Sequence, residues 1–202
     1  MTWDALASED AVQRTMQALA KNGITVVIVP DGAAARQHVL DLIPGGAEVM
    51  NVTSTTVDQI GLAKDLSEPG RYDPVRARIQ ALPQSEQRAA MRRLAASVDW
   101  VVGSVHAVTE DGQAVIASNS GSQLAPYAFS AAHVVWVVGT QKIVRDLDEA
   151  MRRVREHAFP LEDKRMQKAY GMPSGINKTL IVSKEVVPGR ITLVFVREAL
   201  GF

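Results

Sequence analysis

The chain contains no cysteine among its 202 residues. This absence excludes disulfide bonds, thiolate zinc sites, cysteine-ligated iron–sulfur clusters and a cysteine nucleophile. It is compatible with a reducing compartment, and we expect the protein to be cytoplasmic. The first residues carry no basic segment followed by an apolar run, so no signal peptide is expected. No apolar run approaches the roughly 20 residues that span a bilayer, and no membrane association is expected.

An excess of charge of either sign is also missing. Lysine and arginine together number 22, as do aspartate and glutamate, and the formal net charge is zero. Zero net charge provides no long-range attraction to nucleic acid, which is therefore not an expected partner. It also leaves little repulsion between copies and is compatible with a homo-oligomer. Because 202 residues can bury one substantial core, we expect a single domain over residues 1–202.

Several motifs that would identify a cofactor or a reaction are absent. The chain has no G-x-G-x-x-G, no Walker loop and no G-x-S-x-G. Its histidines lack metal-ligand spacing, so we predict no metal site and treat a catalytic role for any of them as the less favoured interpretation. They are His38, His106, His133 and His157. The sequence therefore leaves the cofactor unknown.

Short apolar strands alternate with helical segments along the chain. The predicted strands cover residues 24–29, 47–52, 101–108, 114–117, 133–138, 179–182 and 191–196. The predicted helices run from a cap at Ser8 to Asn22-Gly23, over 32–42, from Asp73-Pro74, from Ser85, and over 144–157. Residues 61–83 are the least regular segment, compatible with a lid. The alternation predicts an α/β fold with Rossmann-like layering.

A hairpin interrupts this pattern. Glu110-Asp111-Gly112 separates the apolar runs 101–108 and 114–117, and Asp-Gly between two such runs is a strong hairpin signal. We therefore expect a mostly parallel sheet that also carries one antiparallel pair.

The best candidate site is the polar turn Thr53-Ser54-Thr55-Thr56, which follows a predicted buried strand. Hydroxyls and unpaired amides at a strand-to-helix turn suit an anion or a carboxylate. Ligands of open α/β sheets also favour the carboxyl ends of strands. The competing interpretation, that Ser54 or Thr55 only caps a helix, is equally well supported.

Further polar residues stand at other strand ends. Ser104 follows Gly103, whose missing side chain indicates close approach of a ligand or, as we favour, of a packed neighbour. Asn119 and Lys142 lie in two more strand-end turns, where capping or simple solvation is the competing interpretation. Glu110 is the candidate general base, although an ordinary hairpin turn explains it more simply.

Several segments together resemble the LUD domain family, the lactate-utilisation group of LutC/YkgG type. They are Ser54-Thr55-Thr56, the run from Ser104 to Gly112, the run from Val137 to Leu147, and the ending from Arg190 to Phe202. The resemblance covers roughly residues 8–202. The family's recurrent polar residues fall on Ser54, Thr55, Thr56, Glu110, Asn119 and Lys142.

The resemblance implies a three-layer fold of the sugar-isomerase and CoA-transferase (NagB/RpiA-like) type. It also implies a bacterial component of L-lactate oxidation to pyruvate that binds a small anionic metabolite beside iron–sulfur subunits. The alternatives are a non-catalytic accessory or regulatory subunit of an electron-transfer complex, or a CoA-transferase-like or sugar-phosphate-isomerase-like enzyme. Many relatives carry cysteines where this chain reads Met172–Lys178, so cysteine-based cluster binding is excluded here.

Overall fold

The computed structural model describes residues 3–68 and 70–202. Within them, six parallel strands form the main sheet. Numbered along the chain and given in spatial order, they are β1 (Thr25–Val29), β10 (Ile191–Val196), β7 (His133–Gly139), β4 (Trp100–Gly103), β2 (Glu48–Asn51) and β3 (Asp73–Pro74). The predicted α/β fold with a mostly parallel sheet is confirmed.

Helices cover both faces of this sheet. They are α1 (Glu9–Lys21), α2 (Gly32–Leu42), α3 (Thr55–Gln59), α4 (Leu62–Ser67), α5 (Val75–Gln80) and α6 (Gln84–Leu94). Two further helices lie outside these layers: α7 (Leu147–Arg153), which packs on a second, smaller sheet, and α8 (Phe159–Tyr170). One buried cluster joins α1 and α5 to Trp136 and Phe195 on one face. A second joins α2, α3 and α4 to Val135 and Val194 on the other. Neighbouring residues of one strand thus enter opposite layers, which is why the strands are apolar throughout.

A smaller sheet carries the predicted hairpin. Its strands, in order, are β8 (Ile143–Val144), β5 (Ala107–Thr109), β6 (Ala114–Ser118) and β9 (Lys178–Val182). β5 and β6 pair antiparallel as predicted, but they do so in this second sheet and not in the main one. The prediction that the antiparallel pair belongs to the mostly parallel sheet is therefore wrong.

The predicted strand 101–108 is two strands in two sheets. β4 ends at Gly103 and β5 begins at Ala107, and between them the carbonyls of Val105 and His106 accept hydrogen bonds from side chains. Both flanking strands are buried on both faces, so the apolar run continues across the break. Hydrophobic periodicity alone could not show where the chain leaves the main sheet.

The predicted helix 144–157 starts later and ends later. Its α-helical part begins at Leu147, where the Asp146 carboxylate accepts from the Glu149 amide at 2.9 Å. A π-helical turn over Val154–Ala158 then leads directly into α8. Pro160 lies in the first turn of α8, where a missing amide hydrogen is tolerated, so the helix continues to Tyr170.

Candidate functional site

The carboxyl ends of β2, β4 and β7 meet the end of β6 around a cavity of about 360 Å³. The seven predicted ligand-binding residues all line this cavity. They are Thr53, Ser54, Thr55, Thr56, Ser104, Asn119 and Lys142. The parallel strands bring their turns to one edge of the main sheet, which is where ligands of open α/β sheets bind.

Lys142 forms hydrogen bonds with both the threonine turn and the residues that follow β4. It ends the short 3₁₀ turn after β7, and only 2% of the residue is exposed. Its Nζ donates to Thr56 Oγ1 at 3.0 Å, to Ser104 Oγ at 3.2 Å and to the Val105 carbonyl at 3.2 Å. Three acceptors match the three hydrogens of an ammonium group. Lys142 therefore fixes the threonine turn against the end of β4.

The charge of Lys142 lacks a carboxylate partner. Burial, with a contribution from the nearby Arg153 guanidinium, lowers the pKa of Lys142 well below its usual value. Within residues 3–68 and 70–202, no acidic side chain forms an ion pair with it. A buried cation of this kind is stabilised when an anion approaches.

Arg153 is a second buried cation behind the cavity wall. The residue is fully buried, and its Nη1 donates to the His106 carbonyl. Its Nε and Nη2 have no hydrogen-bond partner in the part of the chain that the structure describes. Burial lowers the pKa of Arg153 to about 10. Lys142 and Arg153 thus bind the successive carbonyls of Val105 and His106, and both make this edge of the sheet electropositive.

His106 lines the cavity as a neutral ring. Its Nδ1 accepts from the Ala117 amide at 3.2 Å, which leaves the proton on Nε2. Burial, Lys142 and Arg153 together lower the pKa of His106 to about 3. Sequence reasoning assigned it no role, because a single histidine without metal spacing carries no signal. In the structure it can donate a hydrogen bond without adding charge.

The residues of the turn Thr53–Thr56 form different hydrogen bonds and have different roles. Ser54 Oγ accepts from the Val57 amide at 3.4 Å, so Ser54 caps α3, which was one of the two interpretations of the turn. Because α3 has only five residues, its dipole contributes little to anion binding. Thr53 Oγ1 instead accepts from Arg76 Nη2 at 2.7 Å, and Thr55 is half-buried on the cavity wall.

Arg76 is a site residue that sequence reasoning missed. It lies on α5, the short helix predicted from Asp73-Pro74 within the irregular segment, and its half-buried side chain lines the cavity. It forms no ion pair with any residue of the described ranges. Arg78, two positions on, pairs with Glu48 and Asp73 instead. No local pattern separates these two arginines, and only the packing of α5 shows which one faces the cavity.

Glu110, the predicted general base, lies elsewhere. It is not among the described residues that line the cavity, and its carboxylate pairs with Arg14 at 2.7 Å. Among the described residues, the one acidic side chain on the cavity wall is that of Glu162. It forms two hydrogen bonds of 2.7 Å with Arg165, which neutralises it. Asn119 Oδ1 accepts from Asn177 Nδ2 at 2.6 Å, so this amide oxygen is already engaged.

The C-terminal residues close one side of the site. The Leu200 carbonyl accepts from Gln141 Nε2 at 2.8 Å and from Thr56 Oγ1 at 3.3 Å. Gly201 adopts a φ of 64°, and a Cβ on it would lie 2.2 Å from Thr56 Oγ1. Phe202 lines the cavity. The close approach at Gly201 therefore requires the absence of a side chain.

Taken together, the cavity offers hydroxyls, a neutral imidazole and the basic side chains of Arg76 and Lys142, and its one described acidic side chain, Glu162, is paired with Arg165. Such an arrangement favours a negatively charged ligand with hydrogen-bond acceptors. Among residues 3–68 and 70–202 there is no cluster of three or more histidine, aspartate or glutamate side chains that could hold a metal ion. The same ranges contain no helix that is long and apolar enough to cross a bilayer.

One comparison with a solved structure supports this architecture. A DUF162 family protein from Deinococcus radiodurans has a similar crystal structure, with a TM-score of 0.58 and 12% identity over 95% of this chain and 99% of that one. The structure of eIF2B beta from Chaetomium thermophilum matches with a TM-score of 0.36 and 14% identity, over 69% of this chain and 46% of that one. No curated protein matches the chain. The LUD domain family matches residues 12–196, and the chain belongs to this family.

Proposed function

We propose that this protein binds a small organic anion through its carboxylate in the cavity at the strand ends. The observation that carries the proposal is Arg76, a cavity-lining cation whose guanidinium bonds only the neutral Thr53 hydroxyl. A guanidinium binds a carboxylate through paired hydrogen bonds, and Nε and Nη groups that are not used by an acid of the protein are available for this.

The other residues would support the bound carboxylate from different sides. The hydroxyls of Thr53 and Thr55 supply donors, and His106 Nε2 supplies one more. Lys142 has its three hydrogens engaged and acts through its charge and by holding Thr56 and Ser104 in place. Asn119 belongs to the far wall of the same cavity.

For the biological setting, we propose the lactate-utilisation role of the LutC/YkgG type. In it the protein would work in the bacterial cytoplasm beside iron–sulfur subunits that oxidise L-lactate to pyruvate. Membership of the LUD domain family supports this setting. The chain itself has no cysteine, so the cluster chemistry would belong to the partners.

A second candidate is an accessory subunit that binds the anion without converting it. The position of Glu110 favours it, because this predicted base is paired with Arg14 and does not line the cavity. Glu162 is likewise paired with Arg165. Under this candidate the bound anion would regulate an electron-transfer complex.

The test replaces Arg76 by methionine, which keeps much of the stem and removes the charge. We expect Arg76→Met to weaken the binding of L-lactate or pyruvate by about tenfold to a hundredfold, because a hydrogen bond to a charged group contributes roughly 1.5–3 kcal/mol. Isothermal titration calorimetry measures the change. Arg78→Met is the matched control, since it removes the same charge from the same helix away from the cavity. Equal affinities of wild type and Arg76→Met would refute the proposed site.

A further inference from the structure

The cavity is too large for a three-carbon acid alone. At ~30 Å³ for each water of liquid volume, 360 Å³ corresponds to roughly twelve waters, whereas lactate has only about six non-hydrogen atoms. Ligand sites of 300 Å³ and more usually hold molecules of drug-like size, at roughly that lower bound. The volume therefore calls for a ligand with a body beyond its carboxylate.

The wall next to the cationic end is apolar. α5 carries Arg76 and, three positions on, Ile79, and both line the cavity. Residues three apart lie on the same helix face, about 4.5 Å apart along the axis. Met91 of α6, Met50 of β2 and Ile116 of β6 continue this wall. The surface thus changes from charged to apolar within about one helical turn.

The two ends together define a class of ligand. A carboxylate at Arg76 would place whatever is attached to it along Ile79 and Met91. Binding an apolar body there buries hydrocarbon away from water, which is favourable by about 25 cal/mol for each Å² of apolar surface buried. Met91 is half-buried and flexible, and methionine adapts to varied apolar shapes.

We propose that the physiological ligand is an amphipathic monocarboxylate, an acid whose apolar body of about eight to nine carbons lies against Ile79 and Met91. This inference rests on the proposed carboxylate site, and it makes a larger acid, and not L-lactate or pyruvate, the preferred ligand of that site. The carboxylate supplies orientation at the polar end, and the body supplies most of the affinity.

Three probes test the charge and the body separately. Hydrocinnamate has both a carboxylate and an apolar body. Acetate has the carboxylate without that body, and hydrocinnamyl alcohol has the apolar body without the charge. We expect hydrocinnamate to bind at least about tenfold more tightly than either, measured by isothermal titration calorimetry. Met91→Glu should lower hydrocinnamate affinity at least about tenfold, and by a larger factor than it lowers acetate affinity, because only hydrocinnamate also loses its apolar contact. Ser85→Glu is the matched control, because it adds the same charge at an exposed position of α6.

Each outcome decides one question. Equal binding of acetate and hydrocinnamate by the wild type would overturn the apolar body while leaving the carboxylate site in place. Binding of the alcohol as tight as that of the acid would overturn the carboxylate site itself. No binding of any probe would overturn both. Because the wild-type series needs no variant, misfolding of Met91→Glu would not affect these conclusions.

Discussion

Single residues decide whether the polar end of the cavity can form. Thr56 and Lys142 are almost fully buried, and each depends on the other for a hydrogen-bond partner. Gly201 lies so close to them that a methyl group would touch Thr56 Oγ1 and approach Lys142 Nζ to 3.2 Å. A glycine is thus required at position 201 for two reasons: a Cβ would collide with Thr56, and the backbone has a positive φ.

The first prediction compares two glycines with the same backbone conformation. Gly201 has a φ of 64° and Gly189 a φ of 74°, but a Cβ on Gly189 would meet nothing within 4 Å. Gly189→Ala should cost about 1 kcal/mol of unfolding free energy from backbone strain alone. Gly201→Ala should cost about 1–3 kcal/mol more because of the collision, as measured by urea unfolding. Equal costs would show that the contact with Thr56 does not matter.

At the scale of elements, the end of β4 determines where the cavity begins. A Cβ on Gly103 would lie 1.9 Å from the Tyr127 hydroxyl and 2.3 Å from Val52 Cγ2. The interpretation of Gly103 as a site of close packing therefore agrees with the contacts found. Tyr127 and Val52 both line the cavity, so packing at β4 and the shape of the site depend on the same atoms.

The second prediction uses this packing. Gly103→Ala should destabilise the protein by about 1–3 kcal/mol, because the new methyl group overlaps two buried neighbours. Tyr127→Phe removes the nearer of the two colliding atoms, so the double variant should recover part of the loss. A double-mutant cycle by thermal or urea unfolding measures the coupling. Additive costs would mean that the main strain lies at Val52.

At the scale of the whole molecule, the net charge of zero conceals an uneven distribution. Arg76, Lys142 and Arg153 lie on or behind one cavity without an acid that pairs with them in the described ranges. Ion pairs such as Arg36 with Asp65 balance charge elsewhere. Zero net charge predicts no long-range attraction to nucleic acid, whereas the fold gathers these three basic side chains in one place.

The third prediction couples anion binding to proton uptake. Burial and Arg153 lower the pKa of Lys142 in the free protein, and a bound carboxylate should raise it again. Between these two pKa values the complex holds more protons than the free protein, so affinity should increase as the pH falls through that window. Calorimetry over a series of pH values, each in two buffers of different ionisation enthalpy, measures the uptake directly.

The control for proton uptake is Lys142→Met, which removes the titrating group. We expect this variant to bind more weakly and to take up fewer protons on binding. Binding enthalpies that do not change with the buffer in the wild type would mean that Lys142 keeps one protonation state throughout. The proposed coupling between anion binding and the protonation of Lys142 would then be wrong.

The sequence by itself determined most of the strands, most helices and the polar turns that follow the strands. These features depend on local signals: apolar runs, caps such as Ser8 and Asp146, and turn residues such as Gly23. It also placed the threonine turn and Lys142 at strand ends, which in a parallel sheet share one edge.

Only the tertiary structure decided which side chains meet at that edge. It brought Arg76 and His106 to the cavity, left Glu110 with Arg14, and split the run 101–108 between two sheets. Such outcomes depend on how elements distant in sequence pack and on how far their side chains reach. Local periodicity reports which face of an element is buried, but it does not report which partner buries it.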